Sequence, residues 1–184
     1  AIALRPSYAE AHNNLGNALL DQGSLNSAVV AYRRALKLKP DYAQAHSNLG
    51  NALYDQGNLE EAEAACRTAL ALKPDYAEAH SNLGSALQEK GDMFGAIESY
   101  NRALEIKPDF TIARLFKLYE QALVCDWGGI EQDRDLIPGL GISTDFVTPF
   151  AMLPLEDHPA RHLKRAEMFT QHKCKGKGIA LAAL

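Results

Sequence analysis

Histidine recurs at one fixed interval: His12, His46 and His80 stand 34 residues apart. A metal site needs ligands that converge from short spacings, and one histidine per 34 residues does not converge. His158 and His162 are four apart and would share a helix face. They lack the intervening HExxH glutamate and a third ligand, so they read as surface histidines near a helix start. Cys66, Cys125 and Cys174 form no CxxC pair. An odd, scattered set argues against a disulfide framework and for a reducing, cytoplasmic compartment. Cys125 has no histidine–acid arrangement to activate it as a nucleophile, and Cys66 reads as a small buried hydrophobe. Arg161, Lys164, Arg165, Lys173, Lys175 and Lys177 read as a solvated helix face. We therefore expect no catalytic residue, no metal and no cofactor.

The polar groups that do line up are hydrogen bonders. At about 100° per residue, Leu15 and Leu19 fall on one side of a helix, with His12 beside them. Asn14, Asn17 and Asp21 fall on the other side, and the same register places Asn48, Asn51 and Asp55, then Asn82, Ser85 and Glu89. A side-chain amide both donates and accepts, so a row of asparagines suits the main chain of any extended peptide. The acids Asp21, Asp55 and Glu89 would take hydroxyl or basic side chains. The plain competing explanation is that a solvated helix face is polar in any case.

The elements that must carry these rows follow from the same period. Pro6, Pro40, Pro74 and Pro108 are 34 residues apart, and residues 9–42 and 43–76 share 23 identities in 34 positions. Ser7 to Glu10, Asp41 to Gln44 and Asp75 to Glu78 read as capping boxes at helix starts. Gly23, Gly57 and Gly91 read as stops that take the left-handed conformation. Ser24, Asn58 and Asp92 are then placed to cap a second helix. Each proline ends that helix by pushing the residue before it out of helical geometry. One helix pair cannot bury its apolar face alone, and about three stacked pairs are the minimum for stability.

The spacing His12-x2-Leu15-Gly16-x2-Leu19, Ala28-x3-Tyr32, Pro40, repeated through His46, Gly50, Ala62, Cys66 and Pro74 and through His80, Gly84, Ala96, Tyr100 and Pro108, resembles the tetratricopeptide repeat. The resemblance implies an all-α fold: a right-handed superhelix of antiparallel helix pairs with a C-terminal helical extension. Histidine then stands at the family's tryptophan packing position, and Cys66 at a core tyrosine. The asparagine and acid rows would line the concave face. Chaperone-binding members clamp a C-terminal carboxylate with lysine and arginine there. In this chain those positions hold Asn, Ser and acids, which disfavours that use because a carboxylate needs cationic donors.

A narrower resemblance follows. Val124-Cys125-Asp126-Trp127 and Val147-Thr148-Pro149-Phe150-Ala151-Met152-Leu153 through Asp157-His158-Pro159 resemble the junction and entry segment of protein O-linked N-acetylglucosamine transferases. Phe150 matches the bacterial or plant form; animal members carry a histidine near it, so no catalytic role transfers. The resemblance implies the protein-substrate recognition arm of such a glycosyltransferase, itself non-catalytic. The alternative is a stand-alone tetratricopeptide adaptor.

Composition bounds the rest. The net charge is −4, with 10 basic and 14 acidic residues through Phe110 and 9 of each after it, so no basic excess points to nucleic acid. No apolar run approaches the ~20 residues of a membrane helix. Residues 1–6 read as the end of a preceding, truncated repeat, through whose exposed end copies could associate. Residues 7–110 read as three repeats (9–42, 43–76, 77–110), 111–127 as a capping helix and 128–184 as a helical linker toward an absent catalytic region. Within that linker, residues 128–143 read as a short helix between glycine breaks. The expected partner is an extended peptide or protein segment, with no membrane and no nucleic acid.

Overall fold

A computed structural model of the 184-residue chain describes residues 8–140 and Lys164. The expectations for Phe150, His158, His162, Cys174, the Val147–Pro159 segment and a helix from Pro159 to Lys173 lie outside the described residues. The chain divides into two compact units between Pro108 and Asp109. The first holds α1 (Ala9–Asp21), α2 (Leu25–Leu38), α3 (Ala43–Asp55), α4 (Leu59–Leu72), α5 (Ala77–Glu89) and α6 (Met93–Ile106). The second holds α7 (Thr111–Leu123), α8 (Trp127–Gln132) and a 3-10 turn at Ile137–Gly139. No strand occurs among the described residues.

In the first unit each odd helix packs on the even helix after it, and α2 and α4 pack on the next odd helix. The core is therefore continuous. Ala28, Val29 and Tyr32 of α2, Leu49, Ala52 and Leu53 of α3, Ala62 and Ala65 of α4 and Ala86 of α5 form one apolar cluster. Leu49 and Leu83 are buried, whereas Leu15 at the same register is 41% exposed. No described helix precedes α1, so nothing described covers Leu15. A Cβ on Gly84 would stand 2.6 Å from a ring carbon of Tyr100, and Tyr32 leans on Gly16 in the same way. Glycine there is a matter of space.

The turns follow one pattern. Gly23, Gly57 and Gly91 have φ of +76°, +77° and +82°. The N–H of Gly23 donates to Leu20 and that of Ser24 to Leu19, both at 2.8 Å, which closes α1 in a Schellman motif. Lys39, Lys73 and Lys107 leave helical geometry before or at the next turn, with φ of −142°, −142° and −132°.

The expected start signals need correction. The residue flanking α3 is Tyr42, not Asp41, and neither Tyr42 nor Tyr76 makes a side-chain cap. With the tyrosine at the N-cap position, the aspartate sits one position too early for a capping box. Of the three second-helix caps only Asp92 forms, accepting from Gly95 N–H at 3.0 Å. Asn58 instead donates its amide to Gln56 at 3.2 Å, and Ser24 makes no cap bond.

In the second unit α8 runs through Gly128 and Gly129, which were expected to break a helix rather than lie in one. Asp126 caps it by accepting from Gly129 N–H at 3.0 Å, and a Cβ on Gly129 would collide with Gln121 and Asp126. Leu115, Leu118, Ile137 and Leu140 form its core, with Ile130 against it.

Candidate peptide-binding groove

The odd helices present their polar rows on one side of the first unit, where an open groove of about 660 Å³ forms. Asn48 and Asn51 of α3, Asn82 of α5, and Gln44, Lys73 and Glu78 line it. Three of the nine residues singled out from sequence thus share one cavity. Asn14, Asn17 and Asp21 on α1, and Asp55, Ser85 and Glu89 at other points, lie outside its lining.

Two of the asparagines are already partly engaged. Asn48 donates both amide protons, to Asn13 Oδ1 at 3.0 Å and Asn17 Oδ1 at 3.1 Å. Asn82 donates to Ser47, at 3.1 Å to Oγ and 3.3 Å to the carbonyl oxygen. Each bond ties one odd helix to the one before it. What Asn48 keeps for a ligand is its acceptor oxygen. Asn14 is exposed.

The inner position of the row differs between repeats. Asn17 accepts from the Tyr32 hydroxyl at 2.8 Å, and Ser85 lies 3.3 Å from the Tyr100 hydroxyl. The second repeat carries Cys66 where the others carry tyrosine, and the Asn51 side chain makes no hydrogen bond among the described residues. Burial pushes the Cys66 thiol up to about 12, so it stays a thiol at neutral pH. Burial, with Asp21 nearby, likewise pushes Tyr32 up to about 12.

The acids are not equivalent either. Burial first, then the nearby Glu89 and Asp55 carboxylates, raise the Tyr54 hydroxyl above its ordinary range. Asp55 is raised by desolvation. His46 and His80 donate from Nε2 to the carbonyls of Pro40 and Pro74 at 2.9 and 3.0 Å. They tie down the inter-repeat turn while filling a packing position. No group of three His, Cys, Asp or Glu among the described residues is arranged to hold a metal ion. No described helix is long and apolar enough to cross a membrane.

Sequence reasoning missed Lys73. It reaches the groove from the end of α4, off the helices that carry the polar rows. The signal was Gln44, which stands where the other repeats carry Glu10 and Glu78. Those glutamates lie 3.8 Å from Lys39 and 3.9 Å from Lys107.

Stacked helix pairs on a 34-residue period, with a polar groove along the first helices, define a helical-repeat solenoid. More specifically, the TPR repeat model matches residues 16–57 and 50–91 and the tetratricopeptide repeat model matches 77–110. The chain belongs to the tetratricopeptide repeat family.

Solved structures agree on the fold. An O-GlcNAc transferase mutant from Thermobaculum terrenum matches at 28% identity and a TM-score of 0.61, over 63% of this chain and 22% of that one. The chain thus corresponds to about a fifth of that enzyme. The Arabidopsis OM64 TPR domain matches at 25% and 0.58, over 59% of this chain and 90% of that one. The first TPR of Spaghetti (RPAP3), solved bound to an HSP90 peptide, matches at 24% and 0.62, over 64% and 94%. No curated protein matches the sequence.

Proposed function

We propose that this chain is a non-catalytic protein-recognition module that holds an extended polypeptide segment in the groove, and that it serves as the substrate-recognition arm of an O-linked N-acetylglucosamine-transferase-like enzyme. The observation that carries the binding reading is the groove itself. It is open, it spans two repeats, and its mostly polar lining combines donors and acceptors, as a main-chain ligand requires. The transferase reading is supported by the Thermobaculum terrenum likeness, which falls on a fraction of that enzyme. The adaptor reading draws on the OM64 likeness, where a TPR domain is matched over nearly its full length. The cytoplasm is the proposed location, in keeping with free thiols at Cys66 and Cys125.

Fluorescence anisotropy with an array of unstructured peptides tests the binding reading. Asn51→Ala should weaken the bound peptides by about three- to tenfold, the worth of one net hydrogen bond, with the helical signal unchanged. If Asn51→Ala and a triple Asn14, Asn48 and Asn82→Ala variant bind as the parent does while folded, the groove is not the site. Reading the coding sequence past Leu184 separates the two assignments. Two nucleotide-sugar-binding lobes support the transferase, and an unrelated continuation supports the adaptor.

A further inference from the structure

Resting on the groove reading, we propose that the second repeat selects its ligand, taking an extended peptide that carries an acidic side chain. Asn51 would pair with the peptide main chain and Lys73 with the carboxylate.

Two register differences converge on this repeat. In the first and third repeats a tyrosine hydroxyl reaches the inner polar residue, Asn17 or Ser85. Cys66 carries no such hydroxyl, so both the amide protons and the carbonyl oxygen of Asn51 are open to the groove. In the same repeats a glutamate faces the lysine that ends the second helix, Glu10 with Lys39 and Glu78 with Lys107. Gln44 cannot supply that charge. Among the described residues Lys73 has no carboxylate partner, and its ammonium lies 5.0 Å from the Tyr76 ring centroid.

Both released groups line one cavity. Tyr76 lines the same cavity, so the aromatic surface under the ammonium is part of the groove wall. A cation held over a ring keeps its outer protons for a ligand. The carboxylate in the same lining, Glu78, faces Lys107 and so opposes an acidic ligand only weakly. Neither substitution alone would make a reader. An open amide binds any main chain, and a lone exposed lysine binds any anion. Together they ask for a peptide with an acid at a set distance from the paired amide.

The probe is an alanine–serine–threonine peptide into which one glutamate, or one glutamine, is introduced at each position in turn. At one position the glutamate peptide should bind about threefold more tightly than its glutamine twin, as expected of a half-exposed ion pair, and added salt should close the gap. Gln44→Glu, which rebuilds the pair present in the other repeats, should abolish the preference and leave glutamine peptides unaffected. Cys66→Tyr should weaken both peptides alike by tethering Asn51. Both changes copy neighbouring repeats, so both should fold. A preference that survives Gln44→Glu, or peptides bound with no preference at all, overturns the inference and leaves the groove reading standing. If no peptide of either series binds, both fall.

Discussion

The two units use the same helix–turn–helix grammar with opposite interiors. Thirty-four residues after Gly91, Cys125 adopts φ of +56°. The N–H of Asp126 donates to Gln121 at 2.8 Å, as that of Asp92 does to Leu87 at 2.9 Å. Asp126 then caps α8 as Asp92 caps α6. Val124 to Trp127 thus occupy the repeat's own turn. The helix before it is rewritten, though. Where α1, α3 and α5 place Leu15, Leu49 and Leu83, α7 places Lys117, buried and 2.6 Å from Asp133. Where they place alanine, α7 places Glu120 at 1% exposure. A turn is set by a few local backbone bonds, whereas an interior is set by whatever packs on it.

The sharpest way to break this comparison is to exchange the residues at the closest approach. Leu118, fully buried, stands at the register of Gly16, Gly50 and Gly84. Leu118→Ala should cost about 3 kcal/mol through the cavity it leaves. Gly84→Leu should cost about 1–3 kcal/mol, because its side chain meets the Tyr100 ring. Chemical denaturation measures both. A neutral Gly84→Leu would mean the two interiors are interchangeable after all.

Next in size is Glu120. Neither of its carboxylate oxygens has a hydrogen-bond partner among the described residues, and burial raises its pKa. The folded state therefore holds the proton to higher pH than the unfolded state does. Stability from this group is full below the ordinary glutamate range and declines as pH rises through it toward the folded value. Glu120→Gln should be stabilising by about 1–2 kcal/mol at neutral pH, and the gap should close in acid. A gap independent of pH would assign the effect to packing instead.

The contrast also explains what could be read from sequence. The period, the glycine stops and the proline breaks are local rules written once per repeat, so residues 9–110 were legible as helix pairs. The polar row was legible too, because it depends only on helical register. Its occupancy was not. Asn48 bridges to Asn13 and Asn17, bonds set by how α1 and α3 stack, and Asn51 stands open because Cys66, fifteen residues on, carries no hydroxyl. The fourth turn was missed because Cys125 hid a glycine position and Glu120 and Gln121 hid an apolar stripe.

That register makes Cys125 a direct test. A non-glycine residue in the left-handed region costs roughly 1–2 kcal/mol, so Cys125→Gly should raise stability by about 1 kcal/mol, read as a rise in Tm. No gain would show that the thiol side chain offsets its backbone strain through contacts of its own.

The smallest expected effects compare caps. Asp92 and Asp126 accept from a backbone N–H, while Asn58 and Ser24 do not. Asp92→Ala should therefore cost about 0.5–1 kcal/mol, and Asn58→Ala only the weaker bond to Gln56. In both acidic caps the bonded N–H belongs to a glycine three residues on, Gly95 or Gly129, and a Cβ there would press on the aspartate. The first and second repeats carry Ser27 and Glu61 at that position instead. Gly95→Ala should consequently remove most of what Asp92 contributes, so the double variant should be little worse than either single one. Additive losses in that cycle would show that cap and glycine act independently, and that the shared turn chemistry of the third pair and α7–α8 is coincidental.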